Sequence, residues 1–227
     1  MEHHHPESRR HPVRSNVAAV STEEQGIVFI IDDDASVRAA LEDLLGSIGL
    51  KVQSFATVQE FLDISRPDVA GCIVLDVRLP GTSGLEFQRL LAKSNMGLPI
   101  IFISGHSDIA ISVQAMKLGA IEFLTKPLRE QELVDAVQFG IARERARRQE
   151  VRRLAGLKER LQSLTPRERE VFELVITGLQ SKIIAADLKL SVMTVKVHRS
   201  HVMRKMGAKS LIDLTRMANS LGIPAHD

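Results

Sequence analysis

Asp32, Asp33 and Asp34 stand in a row at the end of an apolar run, Ile27 to Ile31, and three more reactive groups share that kind of placement: Asp76 closes the run Cys72 to Leu75, Ser104 closes Ile100 to Ile103, and Lys126 follows Ile121 to Leu124. Crowded carboxylates repel one another and hold protons more tightly unless a cation neutralises them. A hard divalent ion that needs only one or two carboxylates, keeps several waters and accepts a phosphate oxygen is magnesium. A carboxylate set between such an ion and a lysine ammonium is an adequate nucleophile toward a phosphoryl group, because the developing charge is neutralised on both sides. Asp34, next to a helical stretch, has a plainer use as that helix's cap.

These groups need a scaffold that gathers them at one edge. The runs 27–31, 52–55, 72–75, 100–103 and 121–124 read as strands, and the stretches between them, near 36–48, 57–65, 84–92 and 108–118, have helical spacing. Five alternations predict an α/β fold with a doubly wound, five-stranded parallel sheet, in which ligands bind at the carboxyl ends of the strands. Thr57 and Glu60 form a capping box opening the second helix, and Gly49 and Gly119 follow helices where a left-handed stop is wanted. Beyond Pro127 no strand pattern recurs. A segment from about Glu130 to Arg160, dense in Arg, reads as a fifth helix running on into a solvated helical linker. Val137, Val151, Leu154 and Leu161 fall at heptad-compatible spacing, with Gly140, Glu144 and Arg147 interrupting the seam.

Composition separates two halves. Residues 27–126 carry 8 Lys/Arg against 12 Asp/Glu, whereas 143–164 carry 8 against 3 and 165–227 carry 10 against 6. An acidic front suits a cation or a phosphate-bearing molecule, and a basic back suits a polyanion. Cys72, the single cysteine, excludes an internal disulfide framework and reads as a small buried hydrophobe. With no Trp, no Tyr and eight Phe, the chain lacks platforms for stacking single-stranded nucleic acid, which leaves a duplex as the better polyanion. Residues 1–26, with His3, His4, His5 and His11, show no apolar periodicity and read as a disordered N-terminal tail. No run is long and apolar enough to span a bilayer and no secretory signal opens the chain, so a cytoplasmic protein without a membrane partner is expected.

In the back half, Thr165-Pro166-Arg167-Glu168 supplies a cap, a proline at the first helical position and a reciprocal glutamate. Short helices are expected at 166–177, 181–188, 192–206 and 210–220. The third has an apolar inner face of Val195, Val202 and Met206 and a polar, basic outer one, as a helix laid in a DNA groove requires.

Two resemblances emerge from these residues. Ile31-Asp32-Asp33-Asp34, Leu75-Asp76-Val77-Arg78-Leu79-Pro80-Gly81, Ile103-Ser104-Gly105 and Thr125-Lys126-Pro127 resemble the signature sites of a two-component response-regulator receiver, a flavodoxin-like fold. Gly178 to Lys182, Ala185-Ala186, Leu188, Ser191 and Thr194 to His198 resemble the helix-turn-helix of the NarL/LuxR superfamily. The whole chain is most similar to the FixJ group. The resemblance implies a receiver at 27–142, a helical linker at 143–160 and a small all-α LuxR-type DNA-binding domain at 161–227. It implies a regulator and not an enzyme. Asp76 would be the phosphoacceptor, and Asp33, Asp76 and the Arg78 carbonyl would hold Mg2+, with Asp32 helping through water. Ser104 and Lys126 would grip the phosphoryl group, and Phe123 stands where relatives carry a switching ring, without the hydroxyl that many of them have. Lys196, Val197 and Ser200 would approach base edges, and Lys182, Thr194, His198, Arg199, Arg204 and Lys205 would contact phosphates. Ser181-Lys182-Ile183 departs from the more usual Asn-Lys-Glu. The implied partners are a sensor histidine kinase, double-stranded DNA, a second copy of the chain after phosphorylation and, as a further candidate, RNA polymerase. An aspartate-nucleophile phosphatase is the rival enzyme. It would want a second aspartate two positions beyond Asp76, where Arg78 stands. A back half that binds protein or RNA is the other alternative.

Overall fold

The computed structural model describes residues 26–94, 97–105 and 109–224; Asp108 and all of the expected tail except Gly26 lie outside them. Contacts divide the chain into two units, Met1–Ile141 and Ala142–Asp227.

In the first unit, β1 (Ile27–Ile31), β2 (Lys51–Phe55), β3 (Gly71–Asp76), β4 (Ile100–Ser104) and β5 (Glu122–Thr125) form one parallel sheet of order β2-β1-β3-β4-β5. The helices are α1 (Ala35–Ser47), α2 (Val58–Asp63), α3 (Gly84–Lys93), α4 (Ile109–Lys117) and the start of α5 (Glu130–Gln162). This is the doubly wound α/β sheet that the strand and helix spacing predicts. β1, β3 and β4 are buried throughout, as parallel strands covered on both faces must be. Alternation sorts their side chains: Ile27, Phe29 and Ile31 join one core with Val58 and Phe61 of α2, Phe87 and Leu91 of α3 and Ala115 of α4. Val28 and Ile30 join the other, with Leu41 and Leu45 of α1 and Leu133, Val137 and Ile141 of α5. Phe61 centres the first core, edge-on to the rings of Phe29, Phe55 and Phe87 at centroid separations of 5.3, 5.7 and 5.7 Å. The Cys72 thiol is pushed up to about 12 by burial, as its place among apolar neighbours demands.

Helix ends follow local chemistry. Asp34 caps α1 by accepting from the Ser36 and Val37 amides, and the Thr57 hydroxyl accepts from Glu60 N at the start of α2. Gly49 and Gly119 follow α1 and α4 with φ of +81° and +92°. Gly140 lies inside α5 because a Cβ there would meet the Cys72 Cβ at 3.1 Å and the Ile121 Cδ1 at 3.2 Å; the helix accepts a weak helix former to approach the sheet.

The heptad spacing along α5 does not produce one seam. Val137 is buried in the first unit's core and Leu161 in the second unit's, while Val151 is 53% exposed. Nor is the 143–160 stretch solvated throughout, since Leu157 is buried and Glu144 is enclosed while accepting from Arg147 and Arg148.

The second unit adds α6 (Pro166–Ile176), α7 (Ser181–Asp187), α8 (Val192–Met206) and α9 (Leu211–Ser220). Its core joins Leu161 and Leu164 with Val171, Phe172 and Val175 of α6, Ile184 of α7, Val195, Val202 and Met206 of α8, and Leu214 and Ala218 of α9. Both halves of the Thr165/Glu168 capping box are formed. Ser191 caps α8, and Gly207 ends it in the left-handed conformation.

Candidate functional site

Strand order reverses between β1 and β3, and that junction is where a parallel sheet opens a crevice at its carboxyl edge. The pairing of Ile31 with Leu75 brings Asp32 beside Asp76, and the pairing of Ser104 with Thr125 brings Lys126 across from them. The Lys126 Nζ donates to Asp32 Oδ2 at 2.8 Å and to Asp76 Oδ1 at 3.0 Å. Partial burial works against the charged ammonium, but the hydrogen bonds from Asp32 and Asp76 and their negative charge outweigh it, so Lys126 is held above the ordinary lysine range.

The remaining oxygens are also engaged. Asp34 N donates to Asp32 Oδ1 at 2.9 Å, and Arg78 N donates to Asp76 Oδ2 at 2.6 Å. Each Asp76 oxygen accepts at least one hydrogen bond, from Lys126 Nζ at Oδ1 and from Arg78 N at Oδ2. Asp32 is fully buried and Asp76 is 6% exposed, whereas Asp33 and Arg78 are exposed. Ser104 is buried at the end of β4, and its carbonyl accepts from Lys126 N at 2.7 Å. Phe123 is half-buried, packed against the first core with its ring 6.2 Å from that of Phe102. The structure therefore brings together Asp32, Asp76 and Lys126, with Asp33, Arg78 and Ser104 on the same edge. Among the described residues no three Asp, Glu, His or Cys side chains are already closed into a metal cage. The oxygen donors fit a hard cation in kind, and an open site with few carboxylates is the type that leaves water and phosphate positions free.

Two positioning residues escape sequence reasoning. Arg38, on α1, donates to the carbonyls of Asp32 at 2.7 Å and Asp33 at 3.0 Å, fixing the loop that presents both carboxylates. Gly84 opens α3 directly under Asp76: a Cβ there would come within 2.7 Å of the Asp76 carbonyl oxygen and 3.0 Å of Phe102 Cε1. Only the fold reveals either contact, although a glycine shortly after Pro80-Gly81 was a legible turn signal.

On α8, residues Lys196, Val197, Ser200 and Arg204 are exposed, and Thr194 and His198 are half-buried. Lys182 is exposed on α7. Arg199 donates to the Leu179 carbonyl at 3.3 Å and the Ser181 hydroxyl at 3.4 Å, tying α8 to the start of α7. Lys205, another of the expected phosphate contacts, is engaged within the domain: its ammonium donates to Glu168 Oε2 at 2.6 Å and the Ser163 carbonyl at 3.0 Å.

Glu168 is a buried acid of this unit, at the foot of α6. The Lys205 hydrogen bond and the Thr165 amide bring its carboxyl down to about 2, and His201 Nδ1 lies 3.4 Å from Oε1. A carboxyl lowered on folding stabilises the domain above about pH 4.5, and that contribution fades as the pH falls toward 2. Lys205→Met is expected to cost about 1–2 kcal/mol at neutral pH, less than a fully enclosed pair because Lys205 still meets solvent, and to flatten the acid limb. Urea unfolding between pH 2 and 7 checks both effects; a variant with an unchanged acid limb would show that the capping interactions alone hold Glu168 ionised.

Comparison with known proteins agrees with this division of labour. Residues 28–138 match the response regulator receiver domain, and residues 162–218 match the bacterial regulatory proteins of the luxR family. Over 202 residues the chain is 52% identical to nodulation protein W of Bradyrhizobium diazoefficiens, covering 89% of each chain. It is 43% identical over 203 residues to the transcriptional regulatory protein FixJ of Azorhizobium caulinodans, covering 88% of this chain and 95% of that one. The solved structure of the response regulator StyR superposes with a TM-score of 0.78 at 45% identity, over 86% of this chain and 98% of that one. Carboxylates gathered around a lysine at a parallel-sheet edge, a separate helix-turn-helix and these matches together identify a FixJ-type response regulator, a transcriptional regulator of a two-component system.

Proposed function

We propose that Asp76 accepts a phosphoryl group from a phosphohistidine of a sensor histidine kinase, and that this drives pairing of two copies on a duplex operator. An Asp76 oxygen attacks phosphorus, the P–N bond breaks with its electron pair going to the imidazole, and a mixed anhydride forms on Asp76. The observation that carries this reading is the Lys126 ammonium bridging Asp32 and Asp76 at 2.8 and 3.0 Å. The same cation is placed to hold a phosphoryl oxygen once it is transferred. Asp33, Asp76 and the Arg78 carbonyl would hold Mg2+, with Asp32 acting through water. Bound there, the ion would neutralise charge on the transferring group.

The acyl phosphate brings about two negative charges and strong acceptor oxygens, which recruit the Ser104 hydroxyl and draw in the loop after β4. Phe123 then repacks against the β4–α4 side, with no hydroxyl of its own to fix the new position. The face of α4, β5 and α5 supplies the pairing surface, where Val113, Met116 and Phe139 are exposed. In this reading the receiver spans 27–142, the linker 143–160 and the output domain 161–227. The output domain lays α8 in the major groove, with Lys196, Val197 and Ser200 at base edges and Lys182, Thr194, His198, Arg199 and Arg204 toward the backbone. The regulator acts in the cytoplasm, with RNA polymerase as a further partner. Its modest positive balance makes single-copy binding weak, so paired half-sites are required.

Incubation with a small phosphodonor and Mg2+ tests this directly. One phosphoryl group by mass, a doubled mass by light scattering and a stronger duplex shift are expected together. Labelling without any change in self-association or duplex binding would overturn the coupling.

A further inference from the structure

Met193 is the most exposed large apolar side chain on α8, at 70%, and the capping and core packing of that helix make no use of it. At 3.6 residues per turn, positions three, four, seven and eleven beyond it share its face. Those positions are Lys196, Val197, Ser200 and Arg204, and all are exposed. Val195, Val202 and Met206, on the opposite face, are fully buried. The outward stripe of α8 is therefore not uniformly polar. It alternates two cations and a hydroxyl with two apolar side chains, Met193 and the 46% exposed Val197.

An exposed apolar residue is ordinary when it stands alone among polar neighbours. Here, however, it lies in the first turn of the helix whose N-terminal residues meet base edges in this kind of motif. The cations on the stripe favour a polyanion over an apolar protein surface, and the second half of the chain is positively charged overall. Within the major groove each base pair shows a distinct pattern, and only thymine presents a methyl group. A flexible, unbranched thioether is suited to cover such a methyl from more than one angle.

We propose that Met193, with Val197 beside it, is a specificity-determining residue that packs against thymine 5-methyl groups, so that each operator half-site carries thymine opposite the first turn of α8. This rests on the reading of α8 as a major-groove helix and adds to it a base preference and a residue outside the Lys196, Val197 and Ser200 set. Met193 is surface-exposed and makes no core contact, so Met193→Ala leaves the fold intact.

The test uses the full chain, activated by a small phosphodonor with Mg2+, to select duplexes from a random pool. Each thymine of the selected duplex is then replaced by deoxyuridine, which lacks only the methyl. Losing one buried methyl is expected to weaken wild-type binding about fourfold at the thymine that Met193 covers. Met193→Ala is expected to bind the thymine duplex weaker by a similar factor and to be indifferent to uracil at that position, while Met193→Leu keeps the discrimination. The slope of affinity against salt is expected to stay the same, because no phosphate contact is lost. Selected duplexes that Met193→Ala binds with wild-type affinity and wild-type uracil sensitivity would overturn this inference alone. A pool from which the wild type enriches nothing would overturn the DNA-binding reading and this inference with it.

Discussion

Asp76→Asn is expected to take up no phosphoryl group from a small phosphodonor, and its self-association and duplex binding are expected to be the same with and without that donor. The substitution removes one negative charge, shared by the two carboxylate oxygens, and almost no volume. Asp76 sits in a buried position where one oxygen meets Lys126 and the other meets Arg78 N. An amide fits that place in volume, with its oxygen able to accept from one donor and its NH2 left facing the other, but its oxygen is a poor nucleophile and its nitrogen has no lone pair to offer. Mass measurement beside light scattering reads the result. Full labelling of Asp76→Asn would mean that another carboxylate is the acceptor, and the exposed Asp33 would be the first to examine.

Lys126→Met is expected to be the second most damaging change, through two separable effects. The ammonium is the one cation within hydrogen-bond distance of both Asp32 and Asp76 among the described contacts, so its loss removes a donor aimed at charge that develops on the transferring group. Removing one preorganised donor of this kind typically slows a reaction by about 10²–10³-fold. The other effect is on stability: Asp32 is fully buried and would face Asp76 with no counter-charge, at a cost of about 3 kcal/mol, the lower end for a broken buried pair because Lys126 keeps some solvent. Mg2+ is expected to restore part of that stability, and to do so far more in the variant than in the wild type, since the ion takes over the neutralising role. Urea unfolding with and without Mg2+, beside phosphoryl uptake rates, distinguishes the two effects. A variant that labels at the wild-type rate would show that the lysine has no part in transfer.

Much of this molecule was legible without coordinates because parallel sheets declare themselves. The buried strands read as short apolar runs, counting fixes the residues just past their ends, and that alone sets Asp76 and Lys126 on one edge of the sheet. The capping chemistry of Asp34, Thr57 and Thr165 was legible for the same reason: a cap acts on its own helix, within three or four residues. Heptad-compatible spacing in α5 decides less, since a periodicity of apolar residues, here already interrupted by Gly140, Glu144 and Arg147, does not say whether one surface or two will cover them. Val137 and Leu161 went to separate cores.

What the amino-acid order determined by itself, then, was the local and the periodic: which segments are strands or helices, where each is capped, and which reactive groups fall at strand ends. Tertiary structure decided what depends on residues far apart in the chain. It set Lys126 between Asp32 and Asp76, 94 and 50 positions away, and placed Gly84 under the Asp76 carbonyl. It also turned Lys205 inward to Glu168 while leaving Lys196 and Met193 facing out. The physical reason is that a charge or a methyl group has no fixed role until its neighbours are known. A lysine is a phosphate contact, a counter-ion or a bridge according to which acid the packing brings within 3 Å of it.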